Sequence, residues 1–487
     1  MRSNVMFWKF LLIKMKTFLL EGINERKKAK RKKARWREGN INSPIGWRVY
    51  LLLLLALSLM VSPALAVDIE EIYRLAQRSD HVIRKAKVIR AGSQEVVEQS
   101  RARFWPKISA STFYTQNAQE RTVHNFNNTV LFNSNPEYNS SGYSVSITQS
   151  LFDYDAMVNS EQAWAQHALA DKQYDETDNL LLLRVITAYL GVLAAKEEIR
   201  YREQELQTLK KQLEQMEYRL KLGISAKIDV SEAKAGYDLA SASRTTAYIR
   251  LSIANEALRE ITGQLHDNLD KLNMKATFGL PEPNDLGFWI KTAHENNHRL
   301  HVARQQLQVA RIGIKRQGSS RYPHLSLIAT YNYYNDLDLD YAGVELETSS
   351  ITARVGWDFY QGGAISSRVR QAKYYKDQVD ISLQQQKSLV ERHVRDAYFI
   401  LIGGVTRIHE MKQSIKSQKT AVEANVAGYE VGQRTSFDVI NARSTLYTLR
   451  RRLAQAQHNN VLHHALLKFS AGVLSVEDLE NINKILK

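Results

Sequence analysis

None of the 487 residues is a cysteine. That excludes a disulfide framework, a thiolate metal site, a cysteine nucleophile and a lipid-modified N-terminal cysteine, so any membrane attachment of the mature chain must come from folded protein. Proline is scarce as well, with 7 in the chain, and the stretches 155–222 and 364–431 contain none. Beyond residue 66 no apolar run approaches the roughly 20 residues a helix needs to cross a bilayer. A mature chain that spans a membrane would then do so as a β-barrel, the other structure that satisfies its own backbone there. A G-x-x-x-x-G-K-[ST] loop is also missing, so no nucleotide-driven step belongs to this chain.

The N-terminal 66 residues read as a leader. An apolar core from Val49 to Val61 ends at Pro63-Ala64-Leu65-Ala66, which offers the A-x-A pattern of a signal-peptidase site. The basic stretch from Arg26 through Arg37 is long for an n-region; a later start at Met6 or Met15 and a specialised targeting route are both open. Residues 1 to 66 hold 14 Lys or Arg against 3 Asp or Glu, so 11 of the 16 net positive charges lie in the leader and only +5 remains. A nucleic-acid partner is therefore not expected, and the basic run is read as an n-region.

The remaining residues contain the same pattern twice. Arg103-Phe104-Trp105-Pro106-Lys107-Ile108-Ser109 returns as Ser320-Arg321-Tyr322-Pro323-His324-Leu325-Ser326, shifted by 217. Gly223…Asp229-Val230…Ala233 returns as Gly432…Asp438-Val439…Ala442, shifted by 209. Such spacing predicts a doubled fold, with repeats at 67–275 and 276–487. The shift falls to 207 at Leu151-Phe152-Asp153, so the first copy is ten residues longer between Pro106 and Phe152. A loop is where such an insertion is tolerated.

Within each copy the periodicity changes. After Pro323, Leu325, Leu327, Ala329, Tyr331 and Tyr333 alternate with His324, Ser326, Ile328, Thr330 and Asn332. Ile351, Ala353, Val355, Trp357 and Phe359 alternate with Thr352, Arg354, Gly356 and Asp358. Short dyad runs with terminal aromatics predict membrane-barrel strands, and Tyr331, Tyr333, Tyr334, Trp357 and Tyr360 form a candidate aromatic girdle; a soluble hairpin is the plainer reading. Two strands per copy give four, whereas about eight are needed to close even a filled barrel. Several protomers must share one barrel, and three would supply twelve strands.

The Pro-free stretches predict helices of about 100 Å at 1.5 Å per residue, each turning at a Gly and returning over 229–262 or 438–470. Their Gln, Ala, Leu, Lys, Arg and Glu content suits coiled-coil packing. The fold class expected is mainly α with a small β part: long antiparallel helical hairpins carrying four strands.

Over almost its whole mature length the chain resembles the TolC family of outer-membrane channel proteins, on its type I secretion branch. The residues that carry the resemblance are the Pro106 and Pro323 strand starts, Phe359-Tyr360-Gln361-Gly362-Gly363, Gly428-Tyr429-Glu430-Val431-Gly432-Gln433-Arg434-Thr435-Ser436-Phe437-Asp438-Val439-Ile440-Asn441-Ala442, and Ala471 to Leu479. The resemblance implies a homotrimer with a twelve-stranded barrel in outer-membrane lipid and an α-helical tunnel through the periplasm. It implies no enzyme activity and no cofactor. Partners would be a periplasmic adaptor and an inner-membrane ABC or RND transporter. Asp438 matches the acidic pore constriction, with Asn441 where some members carry a second Asp. Tyr429, Arg434 and Asp229 match positions that close the tip, Ile228 replaces a polar residue found in some members, and Gly223 and Gly432 mark tips that dock the adaptor.

Two roles are open to Asp438. Three carboxylates about a threefold axis repel and call for a nearby cation, for which Arg434 is the candidate. Alternatively, Asp229 and Asp438 cap the returning helices. His294-Glu295-Asn296-Asn297-His298 matches H-E-x-x-H, a metallopeptidase pattern that needs both His on one helix face. Its first-copy counterpart has Gln77 and His81, so the zinc reading is disfavoured. His463-His464 reads as a packed or solvated pair. The leading expectation is a passive export duct for type I secretion; a drug or metal efflux duct and a soluble coiled-coil scaffold are the alternatives.

Overall fold

A computed structural model describes residues 68–486 except 135–136, 267, 271–278 and 338–343. The leader and its cut site lie outside the described residues. Two short helices come first, α1 (Ile69–Ser79) and α2 (His81–Ala102), followed by strands β1 (Lys107–Ala118), β2 (Arg121–His124), β3 (Val130–Ser134) and β4 (Glu137–Asp153). A long hairpin follows, α3 (Tyr154–Lys221) and α4 (Lys227–Thr262). Then come α5 (Leu286–Asn296), α6 (His298–Ser319), β5 (His324–Leu337), β6 (Val344–Gly356), a second long hairpin α7 (Ala364–Glu430) and α8 (Ser436–Ala471), and a last helix α9 (Val476–Leu486).

Capping residues set most of these boundaries, because the first N–H groups of a helix need an acceptor. Asp80 accepts from Val82 N and Ile83 N at 2.9 and 3.0 Å to start α2. Asn297 does the same for α6 through Arg299 N and Leu300 N at 3.0 and 3.3 Å. Asp153 ends β4 and starts α3 at once, accepting from Ala156 N at 2.9 Å. Gly472, φ +77°, ends α8 so close to α5 that a Cβ there would lie 2.3 Å from Asn296 O.

At 68 and 67 residues, α3 and α7 are rods of about 100 Å. Their middle parts build the apolar core. Leu181, Leu182, Val185, Ile186, Tyr189 and Leu193 of α3 pack with Ile69 and Ile72, Leu258 and Ile261, Val461 and Ala465, and Leu479. A second cluster joins Trp289, Leu300, Val394, Ala397, Tyr398, Leu401 and Leu467. An 18-residue stretch of α3 is apolar enough to cross a membrane by composition, and half of it is buried inside the protein. Burial in this core explains its composition.

The strands form one antiparallel sheet in the order β1-β4-β5-β6, while β2 and β3 pair as a separate hairpin in the longer connection of the first copy. Register sorts the residues of the sheet. Ile108, Ile147 and Ala329 stand in one row, continued by Ile351. Ala110, Val145 and Tyr331 form the next row on the same face, and Thr112, Tyr143 and Tyr333 the one after it. The first two rows of this face are apolar and open, with Ile108 69% and Ile351 77% exposed, while its third row ends at Glu347. The other face carries Ser109, Ser111, Ser144, Ser146, Thr330, Ser350 and Thr352.

Two expected aromatic placements differ. Tyr334 pairs with Gly142 and Leu346 on the polar face and meets Phe113 at 6.0 Å between ring centroids, so it does not belong with Tyr331 and Tyr333. Trp357 and Phe359 lie beyond β6, which ends at Gly356. Trp357 donates from Nε1 to Arg321 O at 3.0 Å, and its ring centroid lies 4.3 Å from that of Phe359, so both side chains have left the ladder.

Candidate pore site at the hairpin tips

Both long hairpins turn through the same device, a glycine in left-handed backbone just past the helix end. Gly223 has φ +74° and Gly432 φ +78°. Ile224 N donates to Arg219 O at 3.0 Å in the first turn, and Gln433 N to Gly428 O at 2.8 Å in the second. An L side chain is disfavoured at such φ values, so glycine holds these turns tight. Around them Leu222, Ile224, Ile228, Val431 and Phe437 are exposed, leaving both tips apolar.

Asp438 stands three residues into α8 and closes a capping box. Thr435 N and Thr435 Oγ1 each donate to Asp438 Oδ2 at 2.9 Å, and Asp438 N donates to Thr435 Oγ1 at 3.2 Å. The Thr435 backbone N–H, then its hydroxyl, hold the carboxyl below the ordinary Asp range, and the charge of Arg434 adds to this. Asn441, one helical turn on, is exposed on the same side of α8. Asp229 holds the matching place on α4, accepting from Ala226 N at 3.1 Å and Ser225 Oγ at 2.8 Å. Ala226 stands where the second copy has Thr435, so only half of the reciprocal box exists there.

Tyr429 turns inward against the first hairpin. Its hydroxyl donates to Met216 Sδ at 3.2 Å, and the Arg219 guanidinium lies 5.3 Å from its ring centroid. Together with Leu209, Ala233 and Ile440 it sits in the small cluster that fastens the tips of one chain to each other. Arg434 folds its stem over Gly428, where a Cβ would lie 2.8 Å from Arg434 Cγ. Among the described residues Asp229 makes no bond within the chain to Tyr429 or Arg434. Met216 and Arg219 were not read from the sequence; their places in the second copy hold Asn425 and Gly428, so the repeat carries no signal for them.

Higher on the rods, Glu205 of α3 is buried and receives Arg451 Nη1 at 2.7 Å, Arg202 Nη1 at 3.2 Å and Ser444 Oγ at 3.3 Å. This ties α8 to α3 through a charge the heptad pattern alone does not reveal. The H-E-x-x-H pattern is broken by the fold. His294 lies in the last turn of α5, Asn297 is extended at ψ 123°, and His298 starts the next helix, so the two His do not share a helix face. His294 Nε2 instead meets Glu391 Oε1 at 3.0 Å, and among the described residues no group of three His, Asp or Glu is placed to hold a metal. His464 faces the Gly279 carbonyl at 3.0 Å, and burial lowers the pKa of both His463 and His464.

Helical rods with open apolar tips, joined to a sheet whose one broad face is apolar and bare, define a wall-forming membrane protein. A family model for outer membrane efflux proteins matches residues 72–264 and 289–473, and the chain belongs to that family. It is 29% identical to outer membrane protein TolC of Escherichia coli (strain K12) over 449 residues, 90% of this chain and 88% of the relative. It is 25% identical to the proteases secretion protein PrtF of Dickeya chrysanthemi over 442 residues, 89% of this chain and 94% of the relative. The fold matches the CmeC outer membrane channel of Campylobacter jejuni with a TM-score of 0.71 at 14% identity, covering 86% of this chain and 89% of that one. It matches the outer membrane protein VceC of Vibrio cholerae with a TM-score of 0.69 at 15% identity, covering 83% and 96%. The chain is an outer-membrane protein of the channel type.

Proposed function

We propose that three copies join their sheets edge to edge into one twelve-stranded barrel, and their helices into a periplasmic tunnel, as the exit duct of a tripartite export system. The observation that carries this is the sheet itself. β1 and β6 are both free edges, and four strands with one apolar face can neither close nor satisfy their edge N–H and C=O groups in lipid. Pooling the strands of several copies removes the edges and turns the apolar face to lipid. The duct is passive: an inner-membrane ABC or RND transporter and a periplasmic adaptor supply energy and choice of cargo. Kinship with a proteases secretion protein favours protein export of the type I kind; small-molecule efflux through the same fold is the second reading.

Within this reading the residues take the following roles. Asp438, with Asn441 beside it, lines the constriction. Tyr429, Arg434 and Asp229 hold the tips closed, with the bonds to Asp229 made between neighbouring copies. The turns at Gly223 and Gly432 present apolar side chains to the adaptor. The two halves, 67–275 and 276–487, act as repeats, which the matching of two separate segments, 72–264 and 289–473, supports.

The protein extracted from outer membranes in detergent should run as a heat-modifiable trimer and produce stepwise currents in a planar lipid film. A dissolved monomer that carries no current would end the proposal. Because the chain has no cysteine, Ile224→Cys and Gln433→Cys give unique crosslinking handles at the tips, and the adaptor is the protein that should be captured there.

A further inference from the structure

Charge is unevenly placed on the polar face of the sheet. Register puts Lys107 in a row with Thr148, Ile328 and Thr352, and Arg354 one step nearer the helices, in a row with Ser326 and Ser150. His324 and Asp153 share the last row of that face. Asp153 is already engaged, by Arg103 Nη2 at 3.4 Å and by Ala156 N at 2.9 Å. Lys107 and Arg354 are exposed, and among the described residues neither side chain takes part in a hydrogen bond or ion pair. The rows beyond them hold Ser109, Ser111, Ser144, Ser146, Thr330, Asn332, Ser350 and Thr348, all uncharged.

Lys107 lies on edge strand β1 and Arg354 on edge strand β6. When copies meet edge to edge, the Arg354 edge of one faces the Lys107 edge of the next, and six cations circle the lumen at its helix end. Like charges gathered on a wall of hydroxyls repel unless an anion lies between them. At the proposed constriction the lining charge is instead the Asp438 carboxylate, with Arg434 near it.

We propose that Lys107 and Arg354 form a cationic collar at the inner end of the barrel lumen that binds multivalent anions, taking phosphate or carboxylate groups of passing cargo. The collar rests on the reading that several copies enclose a lumen. It gives the duct a second selective zone, separate from the tips and favouring the opposite charge.

The detergent-solubilised trimer is titrated calorimetrically with sodium tripolyphosphate at low salt. Saturable binding is expected that weakens as salt rises and falls at least about tenfold in K107Q/R354Q, while K107R/R354K retains it. In a planar film, tripolyphosphate added on the sheet side should reduce the current of the natural protein and leave that of the double variant unchanged. A conducting natural protein that neither binds nor responds to tripolyphosphate overturns the collar, as does undiminished binding by a trimeric K107Q/R354Q. If the double variant does not assemble, the response of the natural protein and of K107R/R354K decides. Absence of trimer and current in the natural protein removes the duct reading itself, a different result from a silent collar in a working channel.

Discussion

Thr435 and Asp438 bond to each other three times at the start of α8: two donations from Thr435 to Asp438 Oδ2 at 2.9 Å, and one in return at 3.2 Å. The same carboxylate proposed to line the constriction thus caps its own helix, and the two roles are separable by experiment. Thr435→Ala removes the cap and leaves the charge; a loss of about 1 kcal/mol is expected, with cation block of the current unchanged. Asp438→Ala should lose both the cap and the cation block. If block persists in Asp438→Ala, the ring reading fails.

The depressed pKa of Asp438 also sets a pH window. A carboxyl whose folded value lies below its unfolded value contributes stability above the unfolded value, and that contribution is lost as pH falls through the folded one. The tips should therefore loosen below about pH 4 and stay indifferent between about pH 5 and 8. Amide exchange of residues 427–440 against pH is the measurement.

His458 gives the opposite end of the scale a sensor. It is 2% exposed, its Nδ1 lies 2.8 Å from Ala454 O and so donates, and Nε2 has no partner among the described residues. Burial lowers its pKa, so folding favours the neutral imidazole, and stability should fall as pH drops below the unfolded value of about 6.5. His458→Leu should flatten that part of the stability curve measured by thermal melting.

Asp80 is 2% exposed, caps α2, and receives Arg184 Nη1 at 3.0 Å. The second copy has Asn297 at the equivalent place, a cap without the charge. Asp80→Ala removes cap and partner together and should cost about 3 kcal/mol. Asp80→Asn, which keeps the cap, should cost clearly less in the same denaturant titration.

The sheet faces predict an asymmetry within neighbouring residues. Ala329→Arg puts a charge on the apolar face and should cost about 2–4 kcal/mol in lipid. Thr330→Arg, on the polar face, should still assemble and conduct. Trimer yield from outer membranes with single-channel current separates them, and equal tolerance at both positions would reverse the assignment of the faces.

Much of this was legible in the chain. Helix bounds came within a few residues because Pro is absent from the rods and Asp, Asn and Gly punctuate their ends. Alternation sorted Leu325 through Tyr333 correctly, since a strand has only two faces. Trp357 and Tyr334 were misplaced for one reason: alternation tells parity and cannot tell where a ladder stops or which aromatic pairs with a glycine. At the tips Asp438 was readable from the repeat, whereas Met216 and Arg219 beside Tyr429 were not, because they meet it from 210 or more residues away and no local pattern joins them.

The sequence alone determined the elements: a cysteine-free exported chain, two rods without Pro, four alternating strands and two glycine turns, each written in local spacing. Tertiary structure decided the partners: Tyr429 on Met216, Glu205 on Arg451, and, on opposite sheet edges, two cations without a partner among the described residues. Local pattern fixes what the backbone can form by itself, while pairing between distant segments depends on which faces are buried together, and that is settled only when the whole chain packs.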